Sequence, residues 1–127
     1  MDAGWEDSIK RGDVQNVRDL LDRGTDVNAR DRHRQTALLA AHAGHRQIIE
    51  ALIAHRANLN TTAKYGLSAL MLALVVGHAE VALLLADAGT DLSLQGTGAP
   101  GFSGKTAYDL AVERGMRELS AALKPLP

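Results

Sequence analysis

The chain has 127 residues and a formal net charge of −1, so it can form one domain with a modest core and has no overall charge that would attract nucleic acid or an anionic membrane. It contains no cysteine, which excludes disulfides, thiol catalysis and cysteine metal sites. Only 3% of the residues are aromatic, so the core has to be built from aliphatic side chains and alanine, which favours packed helices over a sheet sandwich.

Neither the start of the chain nor its apolar runs indicate secretion or a membrane. Residues 1–7 include three acidic residues and lack the basic and apolar regions of a signal peptide. The longest apolar run, residues 69–76, is far too short to span a bilayer. We therefore expect a cytoplasmic protein that does not engage a membrane.

Four glycines organise the predicted helices into pairs, and they recur at intervals of roughly 32–38 residues, within the range of helical repeat proteins. Each glycine follows a predicted helix that carries a small residue and precedes a second predicted helix that carries a leucine, both at constant distances from the glycine. The glycines are Gly12, Gly44, Gly77 and Gly115, the small residues are Ser8, Ala40, Ala73 and Ala111, and the leucines are Leu20, Leu52, Leu85 and Leu123. This register predicts stacked helix pairs with a left-handed glycine turn inside each pair.

Caps and connectors complete each predicted unit. The candidate N-caps of the first helices are Thr36, Ser68 and Thr106. Gly24 and Gly89 close second helices, whereas Arg56 occupies the equivalent slot of another unit. A left-handed backbone at Arg56 would cost roughly 1 kcal/mol relative to glycine, so we predict a stability defect at this residue.

Taken together, these segments resemble ankyrin repeats. The resemblance is carried by residues 24–31, 36–45, 66–92 and 104–123, with Gly-His pairs at 44–45 and 77–78. It runs from about residue 5 to residue 123. It implies an all-α, ankyrin-repeat solenoid of helix–turn–helix units joined by β-hairpin-like finger loops.

The same resemblance implies a single ankyrin-repeat domain over residues 1–124. Its repeats lie at about residues 1–30, 31–62, 63–95 and 101–124, with a glycine-rich insertion at about 95–103 and a tail at 125–127. Polar residues at both ends predict capping repeats and therefore a complete four-repeat domain. The insertion is rich in glycine, so we expect a flexible finger that buries little surface and is dispensable for folding.

The chain departs from the family at the histidine of its threonine-proline-leucine-histidine segment. The equivalent slots hold Leu38 or Leu39, Met71 and Asp109. We therefore expect stability to rely on apolar packing rather than on hydrogen bonds from that histidine.

The five histidines do not predict a metal site. They are His33, His42, His45, His55 and His78. No two of them have the spacing of a helical zinc site, and His45 and His78 recur in one repeat slot, which indicates structural or surface roles. No cofactor or metal is predicted.

Catalytic motifs are equally lacking. The glycine-rich residues 96–101 do not follow a predicted strand, and Pro100 removes a backbone donor, so a nucleotide loop is disfavoured. The carboxylates are scattered without evident partners. We therefore predict that the chain is not an enzyme.

By resemblance, ankyrin domains bind proteins with their finger tips and with the concave surface of their first helices. The partner-binding residues implied here are Arg32, His33, His42, Lys64, Tyr65, Leu67, Val75, Val76, Phe102, Lys105 and Arg114. At least one of Val75 and Val76 should face solvent, because other residues of the same predicted helix already fill the core positions.

We therefore predict a non-catalytic module that binds another protein, as an adaptor, inhibitor or stabiliser, and that is itself a monomer. The basic cluster at residues 30–34 suits an acidic patch on the partner rather than nucleic acid, because it lacks aromatic stacking platforms. The alternatives are a homo-oligomer joined through the same apolar residues and, less favoured, a small-ligand-binding protein or enzyme that uses the glycine-rich finger.

Two asparagines occupy the hairpin slot of the resembled family. Asn28 and Asn60 are predicted to bond the local backbone and hold the turn. The alternative implied by the resemblance is that they are modified, because in some organisms such ankyrin asparagines resemble substrates of asparaginyl hydroxylases.

Overall fold

The computed structural model of the chain describes residues 3–24, 40, 43–56, 58–60, 62, 64–98 and 101–124. In these ranges the chain forms seven helices and no extended strand, only isolated bridges between Thr62 and Ser68 and between Gly96 and Ser103. The helices are α1 (Ala3–Arg11), α2 (Val14–Asp22), α3 (Arg46–Ala54), α4 (Ala69–Val76), α5 (Ala79–Asp87), α6 (Ala107–Glu113) and α7 (Arg117–Leu123), and a 3₁₀ turn (Lys64–Gly66) precedes α4.

The helices lie in two rows. In one row α2 packs against α3, α3 against α5, and α5 against α7. In the other row α4 packs against α6. The rows are joined within the pairs α1–α2, α4–α5 and α6–α7, so the predicted all-α stack of helix–turn–helix units is confirmed.

The predicted glycine turns are present inside the pairs. Gly12, Gly44, Gly77 and Gly115 all have positive φ values, between 70° and 97°. At two of them a histidine of the next unit covers the turn: a Cβ on Gly12 would lie 2.7 Å from the His45 ring, and a Cβ on Gly44 would lie 2.7 Å from the ring of His78. These glycines are therefore needed for space as well as for φ.

His45 also contacts the end of the preceding first helix, because its Nε2 lies 3.3 Å from the Lys10 carbonyl oxygen. The recurrence of His45 and His78 thus has the structural explanation that the sequence predicted.

The core runs continuously between the two rows. Its largest fully buried side chains are Ile9, Val17, Ile48, Ile49, Leu52, Leu70, Met71, Leu74, Leu85, Leu110 and Leu123. Met71, in a slot where the family has histidine, is only 1% exposed, which fits the expected reliance on apolar packing. Asp109, in the equivalent slot of α6, instead forms a capping box: it accepts from the Thr106 backbone N–H at 3.0 Å, and the Thr106 hydroxyl accepts from the Asp109 N–H at 3.3 Å.

Two further local predictions are confirmed. The Ser68 hydroxyl caps α4 by accepting from the Met71 backbone N–H at 3.2 Å. Arg56 has a φ of 61°, so its backbone is left-handed as its repeat slot indicated. Thr36 lies outside the described residues.

Candidate functional site

The predicted surface residues of the third unit lie along α4. Val76 ends the helix with 44% of its surface exposed, and Tyr65 lies on the preceding 3₁₀ turn with 38% exposed. Val75 and Leu72 are half-buried against the core, and Leu72 lies next to both valines on the helix surface because it precedes them by three and four residues. The four residues Tyr65, Leu72, Val75 and Val76 are called the α4 strip below.

The strip is longer than the sequence suggested. Tyr65 precedes and Val76 ends an eight-residue helix, which rises about 12 Å. Leu72, assigned to the core from sequence, is only half-buried and lies between them. The expectation that one of the two valines faces solvent is confirmed at Val76.

The glycine-rich insertion, called the finger and comprising residues 95–103, packs against Tyr65. The Thr97 backbone N–H donates to the Tyr65 carbonyl oxygen at 2.7 Å. The Phe102 ring contacts the Tyr65 ring with a centroid separation of 6.0 Å and an interplanar angle of 33°. On the other side of Tyr65, a Cβ on Gly66 would lie 3.1 Å from the Gln95 carbonyl oxygen. The finger and the turn before α4 are therefore in close contact.

The finger is also closed on itself at its base. The Gly96 N–H donates to the Lys105 carbonyl at 2.9 Å, and the Gly104 N–H donates to the Gly96 carbonyl at 2.9 Å. Gly96 is buried, and Phe102 is half-buried against the core. The finger is therefore packed at Gly96 and Phe102, whereas its other described residues are exposed. That it is flexible and dispensable for folding stays a prediction, because a Gly-rich composition is compatible with a tightly packed loop as well as with a mobile one.

Other predicted surface residues fall in different places. Leu67 is only 6% exposed and belongs to the core, so its assignment to the partner surface is corrected: it follows the turn directly, where the chain enters the core before α4 begins. Lys105 pairs with Glu113 at 2.5 Å, and Arg114 is exposed where it caps α6. The residues or side chains that lie outside the described part of the chain are Arg32, His33, His42 and the side chain of Lys64.

Two exposed aliphatic residues were missed from sequence. Leu83 is 45% exposed beside a groove of about 670 Å³ between α5 and α7, and Val112 is 51% exposed beside a groove of about 400 Å³ along α6. The signal for Leu83 was available, since three consecutive leucines cannot all face the core of one helix. Val112 occupies the same repeat position as Leu74, which is fully buried, so the sequence alone carried no signal that Val112 is exposed.

The larger groove has a cause in the sequence. In α3, Arg46 bonds Glu50 at 3.0 Å and reaches across to Glu80 on α5 at 3.2 Å. The equivalent position in α5 is Ala79, which is too short to span to α7. The space between α5 and α7 therefore stays open and is lined by Leu83 and Leu119 among others.

Asn60 has a structural role, but with a different partner from the one expected. Its Oδ1 accepts from the Asp91 backbone N–H at 2.8 Å, so among the described residues it ties one connector to the next. Hydrogen bonds from the Ser93 hydroxyl at 2.6 Å and the Ser93 N–H at 2.9 Å lower the pKa of Asp91 below its usual value. Asn28 lies outside the described residues.

Within the described ranges, His, Asp and Glu form no group of three or more that could hold a metal ion. No helix of the described part is long and apolar enough to cross a membrane. What the geometry offers is apolar surface: the α4 strip with its packed finger, and the two grooves.

The fold therefore defines a class, the helix–turn–helix repeat solenoids with packed connectors between units. A family model described as ankyrin repeats, in three copies, matches residues 7–96. Since the match covers more than half of the chain, this protein belongs to the ankyrin repeat family, whose repeats are generally protein–protein interaction modules. A comparison with curated proteins finds no match.

Proposed function

We propose that the chain is a non-catalytic module that binds another protein, as an adaptor, inhibitor or stabiliser, and that the partner lies on the α4 strip. The observation that carries this proposal is the exposure of Val76 and Tyr65, 44% and 38%, at the two ends of one helix with half-buried aliphatic side chains between them. Exposed aromatic and aliphatic side chains of this kind are typical of interface centres.

The energetic argument is desolvation. A partner that covers the strip removes aliphatic surface from water and can enclose the Tyr65 ring. Aromatic residues are common among the few side chains that dominate binding energy, and truncating one typically costs about 2 kcal/mol or more.

The chemistry of the partner follows from the charges of the chain. The basic cluster at residues 30–34 favours an acidic patch on the partner, and the net charge of −1 gives no general attraction to nucleic acid. The proposed setting is the cytoplasm, with the free chain monomeric.

A homo-oligomer is the second candidate, and Val112 favours it. Val112 is 51% exposed on α6, on the face where α4 carries the fully buried Leu74. Size-exclusion chromatography with light scattering on the wild type and on Val112→Asp tests this candidate. A dimer that Val112→Asp converts to a monomer would support it, whereas a wild-type monomer at high concentration would remove it.

The leading proposal is tested by a matched pair of charge substitutions. Val76→Glu places a carboxylate on the strip, and Leu83→Glu places one on the opposite helix row at nearly the same exposure, 44% against 45%. Tagged wild type, both variants and Tyr65→Ala are used to capture partners from the native lysate, and their thermal unfolding is measured in parallel.

We expect Val76→Glu and Tyr65→Ala to lose the captured protein, because an unpaired charge or a missing ring lies at the centre of the interface, while Leu83→Glu retains it. All variants should unfold near the wild-type temperature. Unchanged capture by Val76→Glu would remove the strip from the proposal, and loss with Leu83→Glu alone would move the interface to the groove between α5 and α7.

A further inference from the structure

We propose that the finger positions Tyr65 for partner binding, so that Gly96, Thr97 and Phe102 determine affinity without being the residues that the partner covers. This inference rests on the proposed function, since it assumes that Tyr65 is part of the binding surface. It adds a set of positioning residues that belong to the insertion rather than to the repeat.

The first step is the backbone of Tyr65. Its φ of 65° and ψ of 21° place it in the left-handed region. Bulky residues are rarely found there, because the side chain approaches the backbone. Such a conformation persists only when surrounding contacts hold it. The turn has three residues (Lys64–Gly66) and is flanked by the bridge between Thr62 and Ser68, so any contact made to Tyr65 itself from outside the turn adds to what holds its conformation.

The second step identifies those contacts in the finger. The Thr97 N–H bonds the Tyr65 carbonyl at 2.7 Å and so fixes the peptide plane on the far side of the strained residue. The Phe102 ring packs on the Tyr65 ring at 6.0 Å and restricts its rotation. Gly98 lies beside the same ring, since a Cβ there would be 3.4 Å from Tyr65 Cδ1. The finger therefore contacts both the backbone and the ring of Tyr65.

The third step is that the finger is anchored on the last helix pair. Its base is closed by the bonds between Gly96 and Lys105 and between Gly104 and Gly96, both 2.9 Å. Lys105 directly precedes Thr106, whose capping box starts α6. The conformation of Tyr65 in one unit is thus set by a loop that is fixed to the next unit. Loosening the finger should leave the ring present but less often in the binding geometry.

Two glycines of the finger offer a matched test. A Cβ on Gly96 would lie 2.3 Å from the Phe102 carbonyl oxygen and 2.8 Å from Phe102 Cβ, so Gly96→Ala has to displace the finger. A Cβ on Gly101 would meet no atom within 4 Å, so Gly101→Ala is the control in the same loop. Neither glycine has a positive φ, and both substitutions are therefore free of left-handed strain.

The probe is a peptide selected on the full chain from a phage-displayed library of random 12-residue sequences, a length of about that of α4 and its flanking turns. A selected peptide is retained only if Tyr65→Ala abolishes its binding. Affinity is measured by calorimetry, and hydrogen exchange of the Thr97 amide by NMR reports on the finger without any ligand. Circular dichroism confirms that each variant is folded.

We expect Gly96→Ala to accelerate hydrogen exchange of the Thr97 amide and to lower the affinity for the peptide about tenfold. A tenfold loss corresponds to only a tenth of the molecules holding Tyr65 in the binding geometry. Gly101→Ala should match the wild type in both readouts. Phe102→Leu, which keeps an apolar side chain but loses the ring contact, should also weaken binding, whereas Phe102→Tyr should restore it. The Phe102 pair decides the question if Gly96→Ala does not fold.

Two results would overturn the inference, and they differ from each other. If exchange at Thr97 accelerates but the affinity of a Tyr65-dependent peptide is unchanged, the finger does not position Tyr65 for binding, and the proposed surface stands. If selection repeatedly yields peptides but none depends on Tyr65, the proposed surface fails and the inference fails with it.

Discussion

Arg56→Gly should stabilise the protein by about 1 kcal/mol. Arg56 ends the α3 unit with a φ of 61°, in the slot where Gly24 and Gly89 have φ values of 92° and 84°. A non-glycine residue in the left-handed region destabilises the folded state by about 1–2 kcal/mol, and glycine removes this strain. Part of the stability gained is lost again, because glycine has greater conformational freedom in the unfolded chain. The Arg56 side chain is exposed and has no ion pair or hydrogen bond within the described residues, so its removal should cost little.

The matching substitution is Gly89→Ala in the next unit. A Cβ on Gly89 would meet no atom within 4 Å, so its expected loss of about 1 kcal/mol reports on backbone strain alone. Urea unfolding followed by helical circular dichroism gives the free energies, and thermal unfolding should show shifts of about 4 °C in opposite directions. If Arg56→Gly is neutral or destabilising while Gly89→Ala is destabilising, the arginine makes compensating contacts and the strain argument fails at that residue.

Two other stability predictions concern the contacts between units. Gly44→Ala should lower the unfolding free energy by about 1 kcal/mol more than Gly77→Ala, because both glycines have positive φ but only a Cβ on Gly44 would lie 2.7 Å from the His78 ring. In a double-mutant cycle measured by urea unfolding, adding His78→Ala to Gly44→Ala should recover this excess. Equal losses for the two glycines would show that the His78 ring moves aside freely. Removing residues 97–101 from the finger should keep the helical circular dichroism but lower the unfolding free energy by about 1–2 kcal/mol, because the hydrogen bond from Thr97 to Tyr65 is lost. An unchanged unfolding free energy would support the expectation that the finger is dispensable for folding.

The sequence by itself determined the features that depend on a few neighbouring residues. The glycine turns, the Ser68 and Thr106 caps and the left-handed Arg56 were all predicted correctly. Each follows from a local rule: which residue tolerates positive φ, or which side chain reaches a backbone N–H three residues away. The repeat register then extended these local rules to an all-α stack, because equivalent residues in successive units have to bury the same face.

The tertiary structure alone decided which residues form the candidate surface. Leu67 and Tyr65 are two residues apart and both belong to the implied partner-binding residues, yet only Tyr65 is exposed, because Leu67 is part of the core. The partner of Asn60 and the groove beside Leu83 likewise depend on the neighbouring unit. These contacts join residues that are distant along the chain, and a glycine-rich segment has the same composition whether it is mobile or packed. Only the stacking of the units brings Phe102 into contact with Tyr65, and no local preference of either residue predicts that contact.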